Sequence, residues 1–172
     1  MLEDLAHSGL NLYDLRKNEV IDIVFKSYKP IFTDYFSTIL FLNQTEIYLD
    51  IIKDLKESID CYIINSSGQI HPYLYGSACE LGLKIKIPVI GYTKKLLFGD
   101  LRDSKQNSEI LEIFYQKTLI GYGIPKPNSK KFIYISVGNN ISLQSALDIF
   151  LKLDFKIFSN LSNELNNYIK NK

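Results

Sequence analysis

The sequence has few of the residues that would tie it to a specialised class of protein. Its 172 residues include two cysteines, Cys61 and Cys79. These are too few and too unpatterned for a disulfide framework or a zinc site. Charge of one sign is also missing: 20 Lys and Arg face 19 Asp and Glu, for a net +1. A dedicated nucleic-acid binder normally carries a strong basic excess, so no nucleic-acid polymer is expected as a partner. No apolar run reaches the roughly 18 residues of a membrane span. The acidic start Met1-Leu2-Glu3-Asp4 does not read as a signal peptide. The expectation is a cytoplasmic protein with no internal repeat.

What is present is a composition that folds. Hydrophobic residues make up 46% of the chain, too many for disorder. The length suits one domain able to bury about 70% of its unfolded surface. Residues 46–58 place apolar side chains at 47, 51, 52 and 55, one face of a helix. The short apolar run 61–64 follows Asp60 and reads as a buried parallel strand. Residues 65–69 (NSSGQ) form a loop by composition, 75–86 a helix, and 88–92 the next strand. A helix is expected over 12–26, a strand over 29–36, a loop over 97–107, a helix over 109–119 and a second loop over 121–128. Residues 131–137 alternate as a strand. Ser142 is an N-cap candidate for a helix running to 153, and 159–172 closes the chain as a helix. The fold class is therefore α/β: an open, mostly parallel sheet flanked by helices, flavodoxin- or Rossmann-like. Residues 1–158 form the domain and 159–172 its C-terminal helix or tail. Ligands of such sheets bind beyond the carboxyl ends of the strands.

The residue that draws attention is Glu80, within the otherwise small or apolar stretch 75–83 (YGSACELGL). Gly76 lies four residues earlier on the same helical face and leaves room for a ligand beside the carboxylate. A carboxylate in the first turn of a helix is stabilised as an anion and can attack a sugar carbon. The competing reading is a solvent-facing Glu on a surface helix. Asp60, before the buried strand, is either a turn residue or a second carboxylate that handles a proton. Tyr13, Tyr73 and Tyr75 lie near the expected ligand loops and could touch a base. His7 and His71 fall in loops, where a lone histidine is usually solvated.

Asp60 to Asn65, Gly76-Ser77-Ala78-Cys79-Glu80-Leu81-Gly82 and Lys86 to Tyr92 together resemble the nucleoside 2-deoxyribosyltransferase family. That family has an Asp opening a buried strand, a loop, a small-residue turn leading to a Glu, and a Pro-Val-Ile strand. Leu49-Asp50-Ile51, Gly99-Asp100-Leu101-Arg102, Phe114 to Tyr122 and Ser142 to Leu147 resemble its flanking segments. The resemblance implies a homo-oligomeric salvage enzyme that transfers 2-deoxyribose between nucleobases or hydrolyses the N-glycosidic bond. Its partners would be small-molecule nucleosides or nucleotides and free bases, with no cofactor. Glu80 would be the nucleophile of a covalent deoxyribosyl intermediate, and Asp60 would manage the proton on the departing base. Gly76, Ser77, Gly9, Tyr13 and Gln116 would contact the substrate. Leu74 stands where the family binds sugar hydroxyls with an Asp, so either the ligand would differ from an ordinary deoxynucleoside or activity would be weak or absent. Two alternatives remain open: a non-catalytic nucleoside- or nucleotide-binding protein on the same scaffold, and a phosphoribohydrolase-like nucleotide N-glycosidase.

Overall fold

The structure is a computed structural model that describes residues 6–29, 40–104 and 109–171, with the backbone alone for 40–43. The elements run β1 (Ala6–Asp14), β2 (Glu19–Tyr28), α1 (Leu40–Ile52), β3 (Tyr62–Ile64), α2 (Ser77–Ile85) and β4 (Val89–Thr93). They continue with β5 (Asp100–Asp103), β6 (Leu111–Tyr115), β7 (Thr118–Pro125), β8 (Phe132–Asn139), α3 (Leu143–Leu151) and α4 (Lys156–Lys170). Two compact units result, one built from Met1–Lys56 and Lys152–Lys172, the other from Glu57–Leu151.

In the first unit β1 and β2 form an antiparallel hairpin. The Asp14 carboxylate accepts the backbone N–H groups of Arg16 and Lys17 and closes the turn. Those amides, Lys17 foremost, hold the Asp14 carboxyl below its ordinary range. The helix expected over 12–26 is thus a turn and two strand segments. Leu15 lies in the turn and Val20 is exposed, so the apolar positions that suggested a helical face do not share one. Helix α1 ends at Ile52, short of the expected 58. Lys26 of β2 forms ion pairs with Asp50 and Asp54 on and just after α1, both at 2.8 Å. Apart from Lys29, the strand expected over 29–36 falls outside the described residues.

The second unit holds a six-stranded mixed sheet in the order β3-β4-β8-β7-β6-β5. The βαβ reading of its first half is met: β3 and β4 pair in parallel, and α2 connects them. The mostly parallel sheet is not. The pairings β4–β8, β7–β8, β6–β7 and β5–β6 are all antiparallel. The helix expected over 109–119 and the loop expected over 121–128 are instead the hairpin β6–β7, and β5 lies within the loop expected over 97–107. The fold class that stands is α/β with a mixed sheet flanked by helices.

Alternation along β4 sets the layers. Tyr92 packs on Phe150 of α3, with ring centroids 6.2 Å apart. Its neighbour Gly91 faces the opposite side, against the segment that follows β3. Ser142 caps α3 as expected, its Oγ accepting the Ser145 N–H at 3.0 Å. Among the described residues, no helix is long and apolar enough to cross a membrane.

Candidate functional site

The segment 65–76 leaves the carboxyl end of β3 and crosses the sheet before α2 begins. It is fixed in place rather than loosely exposed. The Gly68 N–H donates to Ser136 Oγ at 3.0 Å and the Gln69 N–H to the Val137 carbonyl at 3.1 Å, both on β8. The Gly76 N–H closes the loop onto the Gly68 carbonyl at 3.0 Å. Ile70 is 1% exposed and joins Ile113 and Ile120 in a core cluster, with Leu96, Phe98 and Tyr134 packed around it. Close backbone approach explains two glycines. A Cβ on Gly91 would lie 2.5 Å from the Ser66 carbonyl, and one on Gly76 would lie 2.3 Å from the Ser67 carbonyl. Ser67 therefore fills the space beside Gly76 that was expected to admit a substrate.

The next four residues turn the chain outward. The His71 ring is 4% exposed, and its Nδ1 accepts the Tyr73 N–H at 3.3 Å. Burial lowers its pKa. His71 is thus a buried post under the turn, not the solvated loop histidine expected. The Leu74 N–H returns to the His71 carbonyl at 2.7 Å, and Leu74 adopts a left-handed φ of 52°. This turn leaves Tyr73 70% exposed over the tilted His71 ring, with centroids 5.6 Å apart. Beyond the last residue of β4, on the same sheet edge, follow the exposed Lys94 and Lys95.

Of the expected site residues in the second unit, Gly76, Ser77 and Glu80 share the start of α2, while Asp60 and Gln116 lie on other elements. Glu80, in the first turn of α2, accepts a hydrogen bond from the Tyr75 hydroxyl and pairs with Lys84 at 3.5 Å. Burial, and then this hydrogen bond, push the Tyr75 hydroxyl up to about 12. Asp60 is exposed at the amino end of β3, whereas α2 is reached from that strand's carboxyl end. Along the chain, β3 and the 65–76 loop separate Asp60 from Glu80. Ser77 is buried as the first residue of α2. Leu74 belongs to the outward turn. Gln116 occupies the β6–β7 turn with a φ of 56°, its carbonyl accepting from Arg102 at 3.3 Å. Four strand spacings, about 19 Å, separate β6 from β3. Gly9 and Tyr13 belong to β1 in the other unit: Gly9 packs against the Phe25 ring, and the Tyr13 hydroxyl donates to Asn18. His7 is in β1 as well, with Nδ1 2.9 Å from Ser27 Oγ. Cys61 and Cys79 are free thiols, and burial pushes Cys61 up to about 11.

Sequence reading overlooked the two lysines and the inward role of His71. A Lys-Lys pair directly after a strand, on the edge where the loop begins, was the available signal. Among the described residues no group of three or more His, Cys, Asp or Glu is placed to hold a metal ion.

Comparison with known proteins gives this geometry a context. The profile of the endonuclease V family matches residues 3–157. The chain is 31% identical to endonuclease V of Archaeoglobus fulgidus over 134 residues, 78% of this chain and 59% of that one. It is 30% identical to endonuclease V of Thermofilum pendens over 113 residues, 66% of this chain and 48% of the relative. The chain thus spans about half to three-fifths of the length of these curated relatives. The fold matches a solved structure of Ciona intestinalis endonuclease V with a TM-score of 0.81 and 18% identity, covering 97% of this chain and 80% of that one.

These findings overturn the nucleoside 2-deoxyribosyltransferase resemblance. With it go deoxyribosyl transfer, N-glycosidic cleavage, a place in salvage and the exclusion of a nucleic-acid polymer as partner. The resemblance rested on one strand–loop–helix–strand unit, and such a unit recurs on unrelated α/β sheets. Matched over residues 3–157, the chain belongs to the endonuclease V family.

Proposed function

We propose that this chain recognises a DNA strand carrying a deaminated base such as inosine, and that it does so at the 65–76 loop. The observation that carries the reading is the family match over residues 3–157, which contains the whole loop and the strands that hold it. The solved Ciona intestinalis endonuclease V is a complex with DNA containing an inosine, so that ligand is the one to bring to this chain. The local chemistry supports it. Lys94 and Lys95 offer two cations to a phosphate backbone, and Tyr73 offers a ring face to a base. Asn65 and Gln69 add exposed amides on the same loop, able to pair with base edges.

The test is fluorescence anisotropy with a labelled duplex holding one inosine, against the same duplex with adenosine. Tighter binding of the inosine duplex is expected. Equal affinity for the two, or no binding at all, would defeat the reading. The name shared by relatives at 30% and 31% identity raises a separate question, whether the bound strand is also cut.

A further inference from the structure

We infer that the 65–76 loop holds a DNA strand without hydrolysing it. This rests on the strand-recognition reading above. Phosphodiester hydrolysis needs a base to activate water and a positive centre at the leaving oxygen. Nucleases commonly meet both needs with divalent cations, and such hard cations are held by oxygen ligands, carboxylates foremost.

The residues around this loop do not fit that demand. No Asp or Glu occurs from Cys61 through Cys79, from Val89 through Gly99 or from Phe132 through Ile141. These stretches cover the loop, the strands β3, β4 and β8, and the Lys94–Lys95 edge; β7, which also meets the loop, has no Asp or Glu, and Glu112 of β6 accepts a hydrogen bond from Ser104 Oγ at 3.1 Å. The first carboxylate along the chain after the loop, Glu80, is already engaged by the Tyr75 hydroxyl and by Lys84. Asp60 lies at the other end of β3. The loop instead offers Asn65, Ser66, Ser67 and Gln69, neutral groups that donate and accept hydrogen bonds. Among the described residues no cluster of three potential metal ligands exists anywhere.

Metal-free general base catalysis meets the same obstacle. His71 is the loop's one imidazole. It is buried, and its Nδ1 lone pair already accepts the Tyr73 N–H. In the neutral ring the other nitrogen carries the proton, so no lone pair remains to take one from water. What the loop retains is the equipment for holding a strand: two lysines, an exposed ring and neutral amides.

The 172-residue chain should be incubated with the labelled inosine duplex and Mg²⁺ or Mn²⁺. Anisotropy reports binding and a denaturing gel reports strand scission. In parallel, the electron paramagnetic resonance signal of free Mn²⁺ is followed as chain is added. The expected result is an inosine-preferring complex, a full-length strand with or without EDTA, and an undiminished Mn²⁺ signal. A nick in the inosine strand that EDTA abolishes would overturn the inference and leave recognition standing. One-to-one loss of the Mn²⁺ signal would also overturn it, by revealing a cation site. Failure of the chain to bind the duplex would instead defeat recognition, and the inference with it.

Discussion

Tyr73 keeps a large ring 70% exposed, on a turn that forces the neighbouring Leu74 into a left-handed conformation. Non-glycine residues adopt that conformation at some cost in backbone strain. If the ring stacks on a base, Tyr73→Ala should weaken DNA binding by about 1–3 kcal/mol, and Tyr73→Phe should keep most of the affinity. Anisotropy with both variants checks this, and equal loss in both would assign the effect to the hydroxyl. His71 gives a second residue-scale prediction. Its folded pKa lies below the ordinary 6.5, so the unfolded chain takes up a proton first as pH falls. Stability is therefore intact above pH 6.5 and declines below it, until the pH passes the folded value. Urea midpoints measured between pH 7.5 and about 5 should fall, and His71→Gln should flatten that fall. A midpoint equally pH-dependent in the variant would assign the effect to other groups.

At the scale of elements, the loop is held by packing that its tip does not share. Ile70→Ala removes a side chain buried against Ile113 and Ile120, and should cost about 2–5 kcal/mol in urea unfolding. Tyr73→Ala should leave the unfolding midpoint almost unchanged, which separates the anchor from the exposed ring. Part of this was legible in the sequence. The run 61–64, the NSSGQ loop, the helix after Tyr75 and the strand from Val89 each carry strong local signals, and the parallel β3–β4 unit formed as read. The β6–β7 hairpin was not legible. Ile110, Ile113 and Phe114 have helical spacing, and the reversal uses Gln116 at positive φ where Gly or Asn is the usual sign. The β1–β2 turn did contain a sign, Asp14 and Asn18 bracketing the reversal, but the apolar positions from Leu15 to Val24 also fit a helix. Glu80 stood out as the lone carboxylate in an apolar stretch. Its bond to Tyr75 depends on how the loop folds back, which spacing cannot reveal.

For the whole molecule, the net charge of +1 does not exclude a nucleic-acid partner, because it averages over every surface. Binding to a phosphate backbone depends on the cations that meet it, not on the sum. Lys94 and Lys95 follow β4 directly, and no acidic residue stands between Val89 and Gly99 to offset them. The segment Val89–Gly99 is therefore basic within a nearly neutral chain. On duplex DNA each lysine that neutralises a phosphate adds about 0.9 to the slope of log affinity against log salt. Lys94→Ala with Lys95→Ala should reduce the magnitude of that slope by up to about 1.8. The loss should be similar for inosine and adenosine duplexes, because phosphate contacts position a strand without reading its bases. Tyr73→Ala should leave the slope unchanged, since stacking releases no counterions. Anisotropy titrations between 50 and 200 mM salt would measure both quantities. An unchanged slope in the double variant would mean that the strand does not cross this edge of the sheet.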